Sequence, residues 1–200
     1  AVEMDNTPFR NPDGGLLFRP GGHGALLENL NDIDSDLIFI KNIDNVVPDR
    51  LKPHTIRYKR ALAGLLISYK NIIFDYILKL NDGCDEEFVN EIFDFTKNEL
   101  CVLPSNNLNI KDNKALKSYV IGILNRPIRV CGMVRNLGEP GGGPFWAINS
   151  NGTTSLQIVE SSQIDLNDLG IKKIFNESTH FNPVDLVCYV RDYNGNKFDL

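Results

Sequence analysis

The sequence predicts an α/β domain in which helices flank an open sheet, and three observations carry that expectation. Residues 37–40, Leu-Ile-Phe-Ile, are a continuous apolar run that turns polar at Lys41, Asn42 and Asp44. A strand buried on both faces reads this way, and ligands of open α/β sheets gather beyond the strands' carboxyl ends. Between Pro53 and Leu80 apolar residues recur at spacings of three and four, the pattern of a long amphipathic helix of roughly 40 Å. After Pro127 the pattern changes to short apolar or alternating runs typical of strands.

Taken in order, residues 5–15 are dense in Asn, Pro, Asp and Gly and predict a loop, with a short strand at 16–18. A Pro-Gly-Gly-His-Gly turn then leads into a helix over about 23–31, followed by the strand at 36–41. Pro48 closes the polar strand end, and Pro53 suits the first turn of the long helix. Asn81, Asp82 and Gly83 stop that helix, and Asp85 can cap a second one whose apolar face is Phe88, Val89, Ile92, Phe93 and Phe95. Asp112 can cap a third helix through Leu124. Residues 53–125 thus read as a mainly helical insertion or scaffold within one domain over 1–200. Strands are expected at 128–134, 155–160 and 184–190, with a short helix from Asp165 to Phe175. Between the first two lies the glycine tract 138–146, with Arg135 and Glu139 beside it and the sole tryptophan, Trp146, at its end. That tract reads as a hairpin excursion, or as a wrap around a ligand.

A net charge of −5 argues against a nucleic-acid partner, whose footprint is a basic face. No run approaches the roughly 18 apolar residues of a membrane span, and no signal peptide opens the chain. The four cysteines, Cys84, Cys101, Cys131 and Cys188, are scattered and read as buried thiols rather than disulfides or zinc ligands. The composition suits a soluble, cytoplasmic protein. The chain starts at Ala1 in a strand-like stretch and ends in mid-pattern, which reads as a portion of a longer protein.

Two stretches carry the chemistry. Glycines ahead of a helix let backbone approach a ligand, and the free N–H groups of its first turn favour anions or base-edge acceptors. Asn42 and Asp44 stand where an α/β sheet would need polar groups. An ordinary glycine turn beside a core strand fits the same pattern. Neither a Ser/His/Asp nor a Cys/His constellation is apparent.

The order of a P-G-G-H-G turn, a strand ending N-x-D, a G-x-V strand, a strand ending I-V-E, and F-N before a last strand resembles the UDP-sugar pyrophosphorylases. More closely, R-P-G-G-H-G-A-L-L-E-N-L-N at 19–31, F-I-K-N-I-D-N-V-V-P-D at 39–49 and H-F-N-P-V-D-L-V-C at 180–188 resemble a bacterial family of the nucleotide-diphospho-sugar transferase superfamily. That resemblance implies a Rossmann-like fold of the glycosyltransferase-A type, with a mixed, mainly parallel sheet flanked by helices, here as an incomplete portion of the catalytic domain. It implies a nucleotidyltransferase that joins a nucleoside triphosphate to a sugar-1-phosphate with magnesium. Gly21, Gly22, His23 and Gly24 would hold the nucleobase, with Asn42 nearby. Asp44 would be the catalytic aspartate that holds magnesium. Glu160 and Asn182 would contact the sugar or its phosphate, with Gln163 beside them. The signature loop that clasps the triphosphate in pyrophosphorylases does not occur before Phe18, and their essential lysine has no evident counterpart. A nucleotide-sugar binding module without turnover, or a structural α/β domain, are the alternatives.

Overall fold

The computed structural model describes residues 3, 5, 7–18, 26–138 and 141–200. Gly21, Gly22, His23, Gly24 and Glu139 lie outside the described residues. The chain divides into two compact units, residues 1–34 with 199–200, and residues 35–198.

In the first unit the turn at 11–15 is closed by the Asn11 N–H to the Gly15 carbonyl at 2.8 Å, and Arg10 bridges to Leu16. Helix α1 is Leu27–Asp32. The amide of Asn31 at its end donates to the Asp199 carboxylate at 3.0 Å and accepts from the Leu200 N–H.

In the second unit the elements run β1 (Leu37–Lys41), α2 (Lys52–Asp82), α3 (Glu86–Asn98), β2 (Val102–Leu103), α4 (Asn113–Leu124) and β3 (Ile128–Cys131). They continue with β4 (Val134–Arg135), β5 (Gly143–Ile148), β6 (Thr154–Val159), α5 (Leu169–Asn176), β7 (His180–Phe181) and β8 (Asp185–Tyr189). The helices form where local chemistry dictates. Pro53 sits in the first turn of α2. The Asp85 carboxylate accepts the Phe88 N–H at 2.9 Å, and that of Asp112 accepts those of Lys114 and Ala115. The short helix begins at Leu169 rather than Asp165, because Asp168 is its cap while Asp165 binds the N–H of Asn167 in a preceding turn. Ile73, Ile77 and Leu80 of α2 pack with Val89 and Ile92 of α3 and Leu116, Val120 and Leu124 of α4 into one buried core.

The helix that contains α2, Asp49–Asp82, is long and apolar enough by length and composition to cross a membrane, a feature that counting unbroken apolar runs misses. Its buried stripe, Leu66, Ile73, Ile77 and Leu80, belongs to the core of the folded domain.

The sheets overturn the Rossmann-like, mainly parallel expectation. Every strand pairing among the described residues is antiparallel, in two three-stranded sheets, ordered β1-β8-β3 and β2-β6-β5, and one two-stranded pair, β4-β7. β1 and β3 point the same way, but β8 lies between them and runs against both. The apolar run 37–40 is therefore an edge strand rather than a central one. Ile38 is buried on one face, whereas Phe39 on the other is 46% exposed and lies under the Lys59 ammonium. The central strand is β8, with Val187 fully buried.

The described end of the glycine tract joins the sheets, with Gly143 opening β5. Gly142 bridges Asn182, and a Cβ on it would stand 2.6 Å from Ile158 Cγ2 and 3.2 Å from Glu160 Cγ. The absent side chain leaves room for the Ile158 and Glu160 side chains.

Candidate functional site

The site grows from one turn. Asn182, just ahead of β8, is only 3% exposed, and both ends of its side chain are occupied by backbone. Its Nδ2 donates to the Gly132 carbonyl at 2.6 Å, and its Oδ1 accepts the Val184 N–H at 2.9 Å. Its own N–H donates to the Gly142 carbonyl at 2.8 Å. Val184 has φ of +52°, the left-handed region that a β-branched residue seldom enters. Such strain costs of order 1–3 kcal/mol and persists where the surroundings over-determine it. Here two further asparagines do so. The Asn42 N–H donates to the Val184 carbonyl at 2.9 Å, and Asn45 Nδ2 donates to the Pro183 carbonyl at 2.6 Å.

The strained turn aims the next side chain. Asp185 lies between two lysines, with Oδ2 2.9 Å from Lys41 Nζ and Oδ1 2.8 Å from Lys59 Nζ. All three side chains are about one-fifth exposed, at 21% for each lysine and 19% for the aspartate. Burial pushes the Asp185 carboxyl up, but hydrogen bonds and charge from Lys59 and Lys41 outweigh it and hold the group below its ordinary value of 3.8. Gly132 closes the turn from the β3 side. Its N–H donates to the Asp185 carbonyl at 2.8 Å, and a Cβ there would come within 3.1 Å of that oxygen.

Beside this trio opens a cleft of about 690 Å³, lined by His54, Tyr58 and Leu62 of α2, by Gly132 and Met133 after β3, and by Asp185. The start of α2 is basic. Lys52, His54, Arg57, Lys59 and Arg60 stand in its first turns, and the preceding 3-10 turn adds Arg50 and Asp49, whose carboxylate pairs with Lys52. Helix dipoles favour the opposite sign there, so this end concentrates positive charge on an otherwise acidic chain. The cleft lining itself is mostly apolar and carries His54 and the Asp185 carboxylate, with Lys41 and Lys59 paired to that carboxylate. Burial pushes the Cys131 thiol on the cleft wall up.

The residues singled out from sequence divide accordingly. Asn42 and Asn182 come together at the Val184 turn, but both work on backbone. The Asn42 Oδ1 caps the single 3-10 turn Ile43–Asn45 by accepting the Asp44 N–H at 3.3 Å. Asp44 itself is exposed, one turn beyond β1. Glu160 and Gln163 stand at the end of β6, where Gln163 Oε1 accepts the Glu160 N–H at 2.9 Å around the turn Ser161–Gln163. Glu160 borders Gly142, whose carbonyl accepts the Asn182 N–H. The glycine turn with His23 lies outside the described residues.

Lys59 and Asp185 were hidden in the sequence, Lys59 in a helical pattern and Asp185 inside an apolar strand. Lys41 was visible as the first polar residue after the run.

Among the described residues no group of three or more His, Cys, Asp or Glu side chains is placed to hold a metal ion. Asp44 offers a single exposed carboxylate.

Comparison with curated proteins and with solved structures returns no match. The whole chain, residues 1–200, matches one family, and it belongs to that family, described as a domain of unknown function (DUF4301).

Proposed function

We propose that this chain binds the phosphates of a nucleotide and a sugar phosphate at the α2–β8 cleft. In the protein it belongs to, which we place in the cytoplasm, it would serve magnesium-dependent nucleotidyl transfer that yields a nucleotide-sugar and pyrophosphate. The observation that carries this reading is the strained Val184 turn, which sets Asp185, paired with Lys41 and Lys59, on the wall of the cleft beside the basic start of α2. The resemblance to pyrophosphorylases supplies the substrate class. Transfer to phosphorus asks the protein for alignment and charge stabilisation rather than a covalent nucleophile. Lys59 and Lys41, which hold Asp185, would supply positive charge beside it, His54 and Tyr58 line the cleft, and Leu62 and Met133 give it an apolar wall. Magnesium, when bound, neutralises phosphate charge, and Asp44 is the residue that would hold it.

The test is a melting-temperature titration with UTP, UDP and a panel of hexose 1-phosphates, with and without magnesium, paired with pyrophosphate release by the full protein. Lys59→Gln should weaken nucleotide binding about tenfold or more, the effect of losing one charge-assisted contact, while Lys79→Gln at the far end of α2 leaves it unchanged. Asp44→Asn should abolish magnesium-dependent release and leave the melting temperature intact, because asparagine keeps the shape but not the charge. Equal behaviour of Lys59→Gln and wild type removes the cleft from the reading.

A binding module without turnover is favoured by one observation. Gln163 and Asn182, two of the three residues implied for the sugar, are occupied by backbone. Saturable UTP binding without pyrophosphate release selects that reading.

A further inference from the structure

A second cavity, of about 280 Å³, lies between the end of α4, the start of β3 and the β5–β6 hairpin. It shares no lining residue with the α2–β8 cleft. Its polar lining is Arg126, Arg129, Asn149, Ser155 and Gln157, the rest is apolar, and no aspartate or glutamate is among them. The volume stands near the lower end of small-ligand sites, roughly 300 Å³, which suits a small ion rather than a cofactor.

The two arginines bring charge that the chain does not neutralise. Arg126 follows the C-terminal end of α4, where an arginine side chain often serves the last helical carbonyls. Here that side chain forms neither a hydrogen bond nor an ion pair with any described residue. Burial pushes the pKa of its guanidinium down, although the residue as a whole is exposed. A side chain that solvent reaches and protein surrounds is one that lines a concave site. Arg129 donates one N–H to the side-chain carbonyl of Gln157 and forms no ion pair with a described carboxylate. Most of its five donors are therefore left for another acceptor.

The third donor is a buried hydroxyl. Ser155 is only 6% exposed. Its oxygen accepts from Gln157 Nε2 at 2.8 Å and from Asn149 Nδ2 at 3.1 Å, which fills its two lone pairs. For its own proton it has only Asn149 Oδ1, at 3.5 Å, the outer limit of a hydrogen bond.

We propose that this cavity is a binding site for a phosphate group, with Arg126 and Arg129 as its charged forks and the Ser155 hydroxyl as a third donor. The donors come from three elements, the α4–β3 connection, β3 and β6. A tetrahedral oxyanion offers oxygens in several directions, whereas a carboxylate offers two in one plane, so the spread selects phosphate. Two guanidiniums in one lining repel each other and lose hydration, and a dianion between them offsets both costs. The group is either the free ion or the head of a small phosphomonoester. The site is separate from the α2–β8 cleft and does not depend on the reading of that cleft.

The test is isothermal titration calorimetry of the full protein at neutral pH and matched ionic strength, with inorganic phosphate, glycerol 1-phosphate and acetate. Phosphate should give a saturable event that acetate does not. Arg126→Gln and Arg129→Gln should each raise its Kd about tenfold or more, the worth of a hydrogen bond to a charged group. Lys59→Gln in the other cleft and Lys111→Gln on the exposed surface remove the same charge and should leave it unchanged. Melting temperatures of both arginine variants in phosphate-free buffer should not fall, since each loses a charge without a carboxylate partner. Tighter binding of glycerol 1-phosphate identifies a phosphomonoester and tighter binding of phosphate the free ion, and either sustains the site. Acetate binding as tight as phosphate, no saturable phosphate binding, or an equal loss in Lys111→Gln each overturns it. So does phosphate binding that Lys59→Gln removes and the arginine variants keep, or a lowered melting temperature of both arginine variants without phosphate.

Discussion

Asn182 shows what a sequence pattern discloses about a side chain and what it leaves open. The pattern F-N-P before an apolar run marks a strand boundary, and the residue stands at one. What the pattern does not carry is the direction of the amide, which depends on Gly132 and Gly142, about 50 and 40 residues earlier. In the folded chain the amide is a latch, and Asn182→Ala leaves the Gly132 carbonyl and the Val184 N–H without their partner in a buried place. The expected loss is about 2–6 kcal/mol on urea unfolding, from two unsatisfied groups at roughly 1–3 kcal/mol each. A sugar-contact role would predict lost binding at unchanged stability. Glu160 and Gln163 teach the same lesson from a shorter range, since the pair satisfies its own turn.

The elements written in local chemistry are the ones the sequence discloses. Asp85 and Asp112 as caps, Pro53 as a first-turn residue and the spacing of Ile73, Ile77 and Leu80 all need only a few neighbours to be read. The core they make is correspondingly simple to test. Ile77 is fully buried between α2, α3 and α4, and Ile77→Ala should destabilise by about 2–5 kcal/mol in the same urea experiment, the cost of lost transfer plus a cavity. The strand at 37–41 was equally visible as an element, but its surroundings were not. An unbroken apolar run arises when both faces are buried by protein. It also arises at an edge where one face is core and the other, as at Phe39, is covered by the stem of a lysine. Periodicity does not separate the two.

At the scale of the whole molecule the antiparallel sheets were illegible because strand order is a matter of which distant segments meet. Nothing near Leu37 names Tyr189 as its partner. The same long-range pairing brings Lys41 and Lys59 to Asp185 and gives the domain an acid limb in its stability. The folded carboxyl lies below its ordinary 3.8, so the unfolded chain binds the proton first, and the contribution is complete above that value and lost as pH falls through the lower folded one. Unfolding free energies of wild type and Asp185→Asn, measured from neutrality down to about pH 2, should therefore converge in acid and stay apart above about pH 5. A constant gap would mean that the trio does not titrate with folding.

The position of β8 has a further consequence in time. A ribosome delivers α2, α3 and α4 together, and their contacts are close in sequence, so the helical core can close while later residues are still being added. β1 and β3 cannot. Both wait with bare edges for a strand that lies 144 residues beyond Lys41 along the chain at Asp185. The turn at Val184, with its three asparagines and its aspartate between two lysines, is thus among the last parts of this chain to exist. Until it forms, the polypeptide is a folded helical body carrying two unsatisfied strands.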